Sequence, residues 1–339
     1  MVPALPPAEF LATLPERTLL DVRSPGEYAQ GHIPGALNFP LFSDAERAAV
    51  GTLYKQVGKE AAVLKGLEFV GPKLADFVRQ AAKLAPNRRL AVHCWRGGQR
   101  SGSMAMLLRA AGFEVCTLAG GYKSYRQLVL DSFHEIAFPF RVLGGRTGSG
   151  KSKVLRVLRQ MGAPVLDLEA LAHHKGSSFG AIGEKPQPTV EQFENTLHHA
   201  LQTFEPGQPV WVENESRSIG RVYIPEGVWK HMKSGVLINI EIPLEARLQN
   251  LLADYADCDK SILRDAFERI GKRLGGQSLK EALEALDADD IRTAAAIALR
   301  YYDKTYQHCL DNNATPVIHT LPFDTGDPLI IARACADFL

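Results

Sequence analysis

Arg141-Val142-Leu143-Gly144-Gly145-Arg146-Thr147-Gly148-Ser149-Gly150-Lys151-Ser152 is an apolar run that breaks into glycines and ends on a lysine and a serine. Glycines at 145, 148 and 150 let successive backbone N–H groups face one anion, Lys151 can reach the outer phosphate of a di- or triphosphate, and Ser152 can ligate magnesium. The run from 141 predicts a strand and residues 152–160 a helix, the context in which a G-x4-G-K-S loop cradles phosphate. The phosphate-binding set is therefore Gly145, Arg146, Thr147, Gly148, Ser149, Gly150, Lys151 and Ser152. Downstream, residues 165–168, 210–213 and 235–242 read as strands, and the chain from about 244 to 309 reads as a long helical region.

Upstream, a second loop carries a thiol. Residues 90–94 read as a strand whose end leads into His93-Cys94-Trp95-Arg96-Gly97-Gly98-Gln99-Arg100-Ser101, with a helix predicted over 101–111. A thiol just ahead of a helix N-terminus and ringed by the amides of residues 96–100 favours its anion, so Cys94 reads as a sulfur that takes up a chalcogen atom and passes it on. Arg96 and Arg100 supply charge, and Trp95, Gly97, Gly98 and Gln99 form the substrate loop. Cys116, Cys258, Cys309 and Cys335 read as small buried hydrophobes. Strands at 18–23 and 114–118, with a helical pattern over 43–84 and a helix at 123–130, complete an alternation that predicts a parallel sheet covered by helices. The Phe138-Pro139-Phe140 link places a division near residue 136, giving domains 1–135 and 136–339.

A phosphate loop needs a carboxylate for a metal or a nucleophile. Glu213, at the end of the 210–213 strand, is the first candidate for a catalytic role beside Lys151; Glu215, Glu169 and Asp167 are the others, with Ser152 and Asp167 as metal ligands. Arg217 follows closely and suits diphosphate charge, as does Arg221. The stretch His173-His174-Lys175-Gly176-Ser177-Ser178-Phe179-Gly180 reads as a lid whose His174, Lys175 and Ser177 touch substrate. Arg264, Arg269, Lys272 and Arg273 recur at near-helical spacing and could meet an RNA backbone, although a charged helix face is usually just solvated.

The whole-chain numbers narrow the class. With 339 residues, 45% hydrophobic and 23% charged, the chain can bury two cores, and a net charge of +1 means that a nucleic acid would be held by a local patch. Five cysteines without a CxxC pair suggest neither a disulfide framework nor zinc, which fits a reducing cytoplasm. Neither a secretion signal nor a run of about 18 apolar residues is present, so no membrane partner is expected.

Asp21-Val22-Arg23, Glu27-Tyr28, Gly31-His32-Ile33-Pro34-Gly35-Ala36 and the Cys94 loop resemble the rhodanese domain over about the first 135 residues. The loop also fits the His-Cys-x5-Arg signature of cysteine phosphatases. Joined to the phosphate loop, the strings Cys94-Trp95-Arg96-Gly97-Gly98, His174-Lys175-Gly176-Ser177-Ser178-Phe179-Gly180 and Glu213-Asn214-Glu215-Ser216-Arg217 resemble the bacterial tRNA 2-selenouridine synthase family. The fold expected is α/β: a rhodanese-like parallel-sheet domain, then a P-loop NTPase-like α/β domain with a helical C-terminal region. The resemblance implies conversion of wobble 2-thiouridine in tRNA to 2-selenouridine with selenophosphate, through an S-geranyl intermediate made from geranyl diphosphate. Magnesium as cofactor and a selenophosphate supplier such as selenophosphate synthetase as partner go with it. Rival readings are a cysteine phosphatase or sulfurtransferase fused to a kinase-like domain, and a nucleotide-sensing RNA-binding adaptor.

Overall fold

The computed structural model describes residues 2–255, 258–311 and 317–337. The chain folds as two compact units, Met1–Ser132 and Phe133–Leu339.

The first unit runs β1 (Ala4–Leu5), α1 (Pro7–Ala12), β2 (Thr18–Asp21), α2 (Pro25–Gln30), β3 (Leu37–Asn38), α3 (Asp44–Gln56), α4 (Lys59–Val70), α5 (Leu74–Leu84), β4 (Arg89–His93), α6 (Gln99–Ala110), β5 (Glu114–Leu118) and α7 (Gly121–Ser132). Its strands form one parallel sheet in the order β1-β5-β4-β2-β3. The central strand β4 is buried from Leu90 to His93 because helices cover both faces, which is why its sequence is a continuous apolar run. A capping box, Ser24 with Glu27, and Pro25 in the first turn start α2; Ser43 with Glu46 does the same for α3. Phe39, Phe42, Phe77, Leu90, Val92 and Met104 pack one core, which reaches the sulfur-bearing end of β4 at Cys94.

The second unit runs β6 (Phe140–Gly145), α8 (Lys151–Gln160), β7 (Val165–Leu166), α9 (Leu168–Ala172), α10 (Val190–Leu201), β8 (Val210–Glu213), β9 (Ser218–Ile219), β10 (Val222–Tyr223), α11 (Glu226–Lys233), β11 (Val236–Glu241), α12 (Leu244–Tyr255), α13 (Lys260–Leu274), α14 (Gly276–Asp287), α15 (Ile291–Asp311), β12 (Val317–Pro322) and α16 (Pro328–Ala336). A parallel sheet in the order β12-β11-β6-β8-β7 puts β6 at its centre, so the glycine loop opens at the C-terminal edge of a buried strand. Helices α13, α14 and α15 close a separate apolar cluster around Phe267, Ile270, Ala282, Ala294 and Ile297.

Two expectations change. The strand expected over 165–168 ends at Leu166, because the Asp167 carboxylate accepts from Ala170 N at 2.9 Å and caps α9, which makes Leu168 helical. The sheet also gains an edge strand, β12, beyond the region read as the helical end of the chain. Of the cysteines read as buried hydrophobes, Cys116 and Cys335 are buried and Cys258 is partly exposed; the Cys309 side chain lies outside the described residues.

Candidate functional site

In the first unit the β4 strand delivers Cys94 into a loop over the N-terminus of α6. The sulfur is buried at 3% exposure, while Trp95, Arg96, Gly97, Gly98 and Gln99 above it are exposed. Cys94 Sγ lies 3.2 Å from Ser101 Oγ, which also donates to Gly98 O at 3.2 Å. The loop is held from below by main chain: Tyr122 N donates to Cys94 O at 2.8 Å and Lys123 N to Trp95 O at 3.0 Å. That approach requires glycines. Gly97 and Gly121 both take positive φ, and a Cβ on Gly121 would stand 2.3 Å from Gly97 N and 2.4 Å from Cys94 O.

Arg100 points to Glu27, with Nη1 to Oε2 at 2.6 Å and Nη2 to Oε1 at 3.2 Å. Burial alone would raise the Glu27 carboxyl, but the Arg100 hydrogen bonds and charge outweigh it and hold the group below its ordinary value. Beneath the loop, Arg23 and Asp21 form a fully buried pair at 2.6 Å, and the Arg23 guanidinium lies 3.7 Å from the centroid of the Tyr122 ring. His93 stands 3.7 Å from Asp21, and burial, partly offset by that carboxylate, pushes its imidazole down to about 4. His93 is therefore neutral scaffolding for the thiol loop at physiological pH.

In the second unit the glycine loop joins β6 to α8, with positive φ at Gly148 and Gly150. Lys151 Nζ donates to Gly145 O at 3.0 Å, spanning the loop from within. Ser152 Oγ donates to Glu169 Oε2 at 2.5 Å, and Glu169 N donates to Glu213 Oε1 at 2.6 Å. Glu213 is 1% exposed, and burial plus the Asp167 and Glu169 charges push its carboxyl well above the usual carboxylate range. Burial and Glu169 likewise raise Glu215. The acids therefore form a row behind Ser152, with Glu169 foremost; Asp167 caps α9 and faces Arg159 at 3.8 Å.

A cleft of about 1040 Å3 opens in front of the loop, lined by Lys151, Ser152, Asp167, Glu169, Glu215 and Arg217 among others. Of the lid residues, Lys175 and Ser177 line it, whereas His174 is buried behind, packed against Gly180. The stretch is tied down, not free: Lys175 N donates to Gly180 O at 2.9 Å, and Phe179 inserts into the cluster of α13–α15. Arg146 reaches Gln307 at 3.3 Å, and neither it nor Glu213 lines the cleft. The basic residues of α13 are elsewhere: Arg264 pairs with Asp287, Arg269 donates to Ser178 O at 3.2 Å, and Lys272 and Arg273 are exposed in the last turn.

Sequence reading missed the braces of the glycine loop. Arg247, 4% exposed, donates through Nε to Thr147 O at 2.9 Å and grips Asp303 with both Nη atoms at 2.5 and 3.0 Å. Asn250 donates to Gly148 O at 3.0 Å. Nothing local marks these residues, since their partners lie 56 to 102 positions away. Among the described residues there is neither a cluster of three metal-ligating His, Cys, Asp or Glu side chains nor a helix long and apolar enough to cross a membrane.

Comparison with known proteins agrees with both halves. A model of the tRNA 2-selenouridine synthase AAA domain matches residues 138–321, and a rhodanese-like domain model matches residues 7–128. The tRNA 2-selenouridine synthase of Cronobacter sakazakii is 38% identical over 359 aligned residues, covering 94% of each chain. That of a Sulfurovum species is 34% identical, covering 88% of this chain and 90% of the other. That of Nitrosomonas eutropha is 40% identical over 261 residues, 73% of this chain, which spans only 64% of that longer relative. With a full-length match above 30% identity and a family model over more than half its residues, the chain belongs to the tRNA 2-selenouridine synthase family.

Proposed function

We propose that this protein is a tRNA-modifying transferase that converts wobble 2-thiouridine to 2-selenouridine with selenophosphate, through S-geranyl-2-thiouridine formed from geranyl diphosphate. One observation carries the alkyl diphosphate over a nucleotide. Beside the phosphate cleft lies an apolar cavity lined by Phe179, Leu263, Phe267, Leu286, Ala294 and Ala298, and the two share Thr147, Ser177, Leu251, Tyr255 and Tyr302. A diphosphate on the glycine loop thus has hydrocarbon walls next to it, as an allylic chain requires and a ribose does not. The cavity is about 50 Å3 as it stands, so it must widen to admit a ten-carbon chain.

In the first step the thiocarbonyl sulfur of the base attacks C1 of the geranyl group. The C–O bond breaks, the electron pair leaves on diphosphate, and the base gives up its N3 proton. Loop amides and Lys151 stabilise the charge that grows on the leaving group, which is worth most in a site shielded from water. The Ser152 hydroxyl and the Glu169 carboxylate are hard oxygen donors and suit magnesium, which would add positive charge at the diphosphate. In the second step the selenium of selenophosphate adds at C2, the C2–S bond breaks and geranyl thiol departs, a better leaving group than unalkylated sulfur, and water then cleaves the P–Se bond and carries the phosphoryl group off as phosphate. Cys94, buried beneath the exposed residues 95–99 with its sulfur 3.2 Å from Ser101 Oγ, is the group suited to position that selenium.

Mass spectrometry of nucleosides from 2-thiouridine tRNA incubated with the protein, geranyl diphosphate and selenophosphate tests the reading. Lys151→Ala should lose geranylation, while Cys94→Ala should geranylate and stall before selenation. Absence of any new nucleoside with the unaltered protein, or steady Cys94-dependent turnover of an aryl phosphate, would replace the proposal with one of the rival activities.

A further inference from the structure

The rim of the thiol loop carries an aromatic ring and two cations that its interior does not use. Of the three tryptophans, Trp211 is buried, Trp229 is half-buried and only Trp95 is exposed, at 36%. Tryptophan is enriched where a surface is covered by a partner. The Trp95 ring is supported from within: it lies 5.7 Å from the Tyr122 ring at 42°, Tyr122 packs in turn on Tyr125 at 5.8 Å, and the fully buried Arg23 guanidinium is 5.9 Å from the Trp95 centroid. Its main chain is pinned as well, since Lys123 N donates to Trp95 O at 3.0 Å. A ring held in this way loses little freedom when a second plane stacks on it.

The same hydrogen bond brings the first turn of α7 against the loop, so the exposed Arg96 and Lys123 stand to either side of the tryptophan. Among the described residues neither of these two side chains has an ion pair or a hydrogen bond. The carboxylates tied to the site are already matched: Asp21 pairs with Arg23 at 2.6 Å, and Glu27 pairs with Arg100 at 2.6 Å and with Arg47 at 3.7 Å. A stacking plane between two unpaired cations is what single-stranded nucleic acid selects, since bases stack on the ring and phosphates meet the charges.

We propose that Trp95 receives the reacting nucleobase of the RNA acceptor for the selenation step, with the flanking phosphates at Arg96 and Lys123. This rests on the RNA-acceptor reading given above and names the positioning surface for it. Ring and thiol belong to adjacent residues, whose Cα atoms stand about 3.8 Å apart, so a base stacked on the indole is held at the mouth of the pocket that contains Cys94. Arg100 is occupied by its two hydrogen bonds to Glu27 and fixes the loop, which leaves Arg96 and Lys123 to meet the ligand. The plane accepts only a base that has left its helical stack, so this surface selects a loop nucleotide over a paired one.

The test uses the full chain, selenophosphate and an RNA hairpin whose loop carries S-geranyl-2-thiouridine, so that the alkylation step is bypassed. Trp95→Ala should raise KM for the hairpin about tenfold with a smaller change in kcat, within the range for loss of one stacked base, and Trp95→Phe, which keeps a plane, should bring KM back to within about threefold. Arg96→Ala and Lys123→Ala should each lower the slope of log hairpin affinity against log salt, read by fluorescence anisotropy, by about 0.7. The hairpin should also shield Cys94 from iodoacetamide in the unaltered protein and in Trp95→Phe, and shield it less in Trp95→Ala, a readout that needs no turnover. Unchanged KM and shielding in Trp95→Ala, no recovery in Trp95→Phe, or a rise in KM for selenophosphate in place of RNA when Arg96 and Lys123 are truncated would overturn the assignment while sparing the acceptor reading. Failure of the unaltered protein to bind or selenate the hairpin would remove both.

Discussion

Truncating Arg247 to alanine should unfold the second unit more easily and loosen its hold on diphosphate. The side chain is 4% exposed and makes three hydrogen bonds, two of them to the Asp303 carboxylate and one to the Thr147 carbonyl. Removing one partner of a fully buried ion pair costs about 3–5 kcal/mol, because the other charge is left without a counterpart. Asp303 retains 26% side-chain exposure and recovers part of its hydration, which brings the expectation to about 2–4 kcal/mol. For a unit of about 200 residues each kcal/mol shifts the melting midpoint by about 2–4 °C, so calorimetry should show a drop of roughly 5–15 °C in the transition of that unit alone. Titration calorimetry with pyrophosphate should show weaker binding, since the Thr147 carbonyl loses its anchor. Arg247→Lys should recover only a minor part of the loss, because an ammonium cannot span Asp303 and Thr147 together. A midpoint within about 2 °C of the unaltered protein would refute the reasoning that this pair carries the loop.

Two further outcomes concern the thiol unit. Gly121→Ala should abolish alkylation of Cys94 by iodoacetamide at its native rate, or unfold the unit, because a methyl group there meets Gly97 N at 2.3 Å in a backbone conformation that side chains disfavour; a native rate would show that the two segments are not in contact. His93 holds its folded value near 4 against 6.5 when unfolded, so between those limits the unfolded chain binds a proton that the folded one refuses. Stability from this residue is complete above about pH 6.5 and declines toward pH 4; the urea midpoint of the first unit should fall over that window, and His93→Phe should flatten the fall.

The two loops were legible because each is written in contiguous residues. Gly145 to Ser152 and His93 to Ser101 carry their chemistry at fixed spacing, and the strands at 114–118 and 210–213 follow from runs that only a doubly covered strand would bury. What supports the loops was not legible. Glu27 belongs in the sequence to the rhodanese-like string Glu27-Tyr28, and nothing there announces that both its oxygens accept from Arg100, 73 positions away. Arg264 and Arg269 looked like a basic stripe because helical spacing displays charge, yet one is spent on Asp287 and one on a carbonyl.

A loop that turns its amides toward an anion must turn its carbonyls outward, and those carbonyls need donors. The two loops meet that need differently. Around Cys94 the donors are mostly main-chain amides, Tyr122 N on Cys94 O, Lys123 N on Trp95 O and Gly102 N on Gly98 O, with the Ser101 hydroxyl also on Gly98 O, so the cradle is as fixed as the start of α7. In the glycine loop Ser149 N serves Arg146 O, but the other donors are side chains: Lys151 on Gly145 O, Arg247 on Thr147 O and Asn250 on Gly148 O. Lys151 can leave its carbonyl for a phosphate, and Asn250 also accepts from Lys153 at 3.0 Å, so this cradle is held by side chains that can rotate and exchange partners. The glycine loop should therefore tighten when its ligand arrives, while the thiol loop is already set. Hydrogen exchange with and without pyrophosphate measures the difference: amides of residues 145–152 should gain protection of about tenfold or more, and those of residues 94–98 should not change. Equal protection in the ligand-free state would mean that the side-chain braces are as rigid as backbone, and the distinction between a set cradle and an adaptive one would fail.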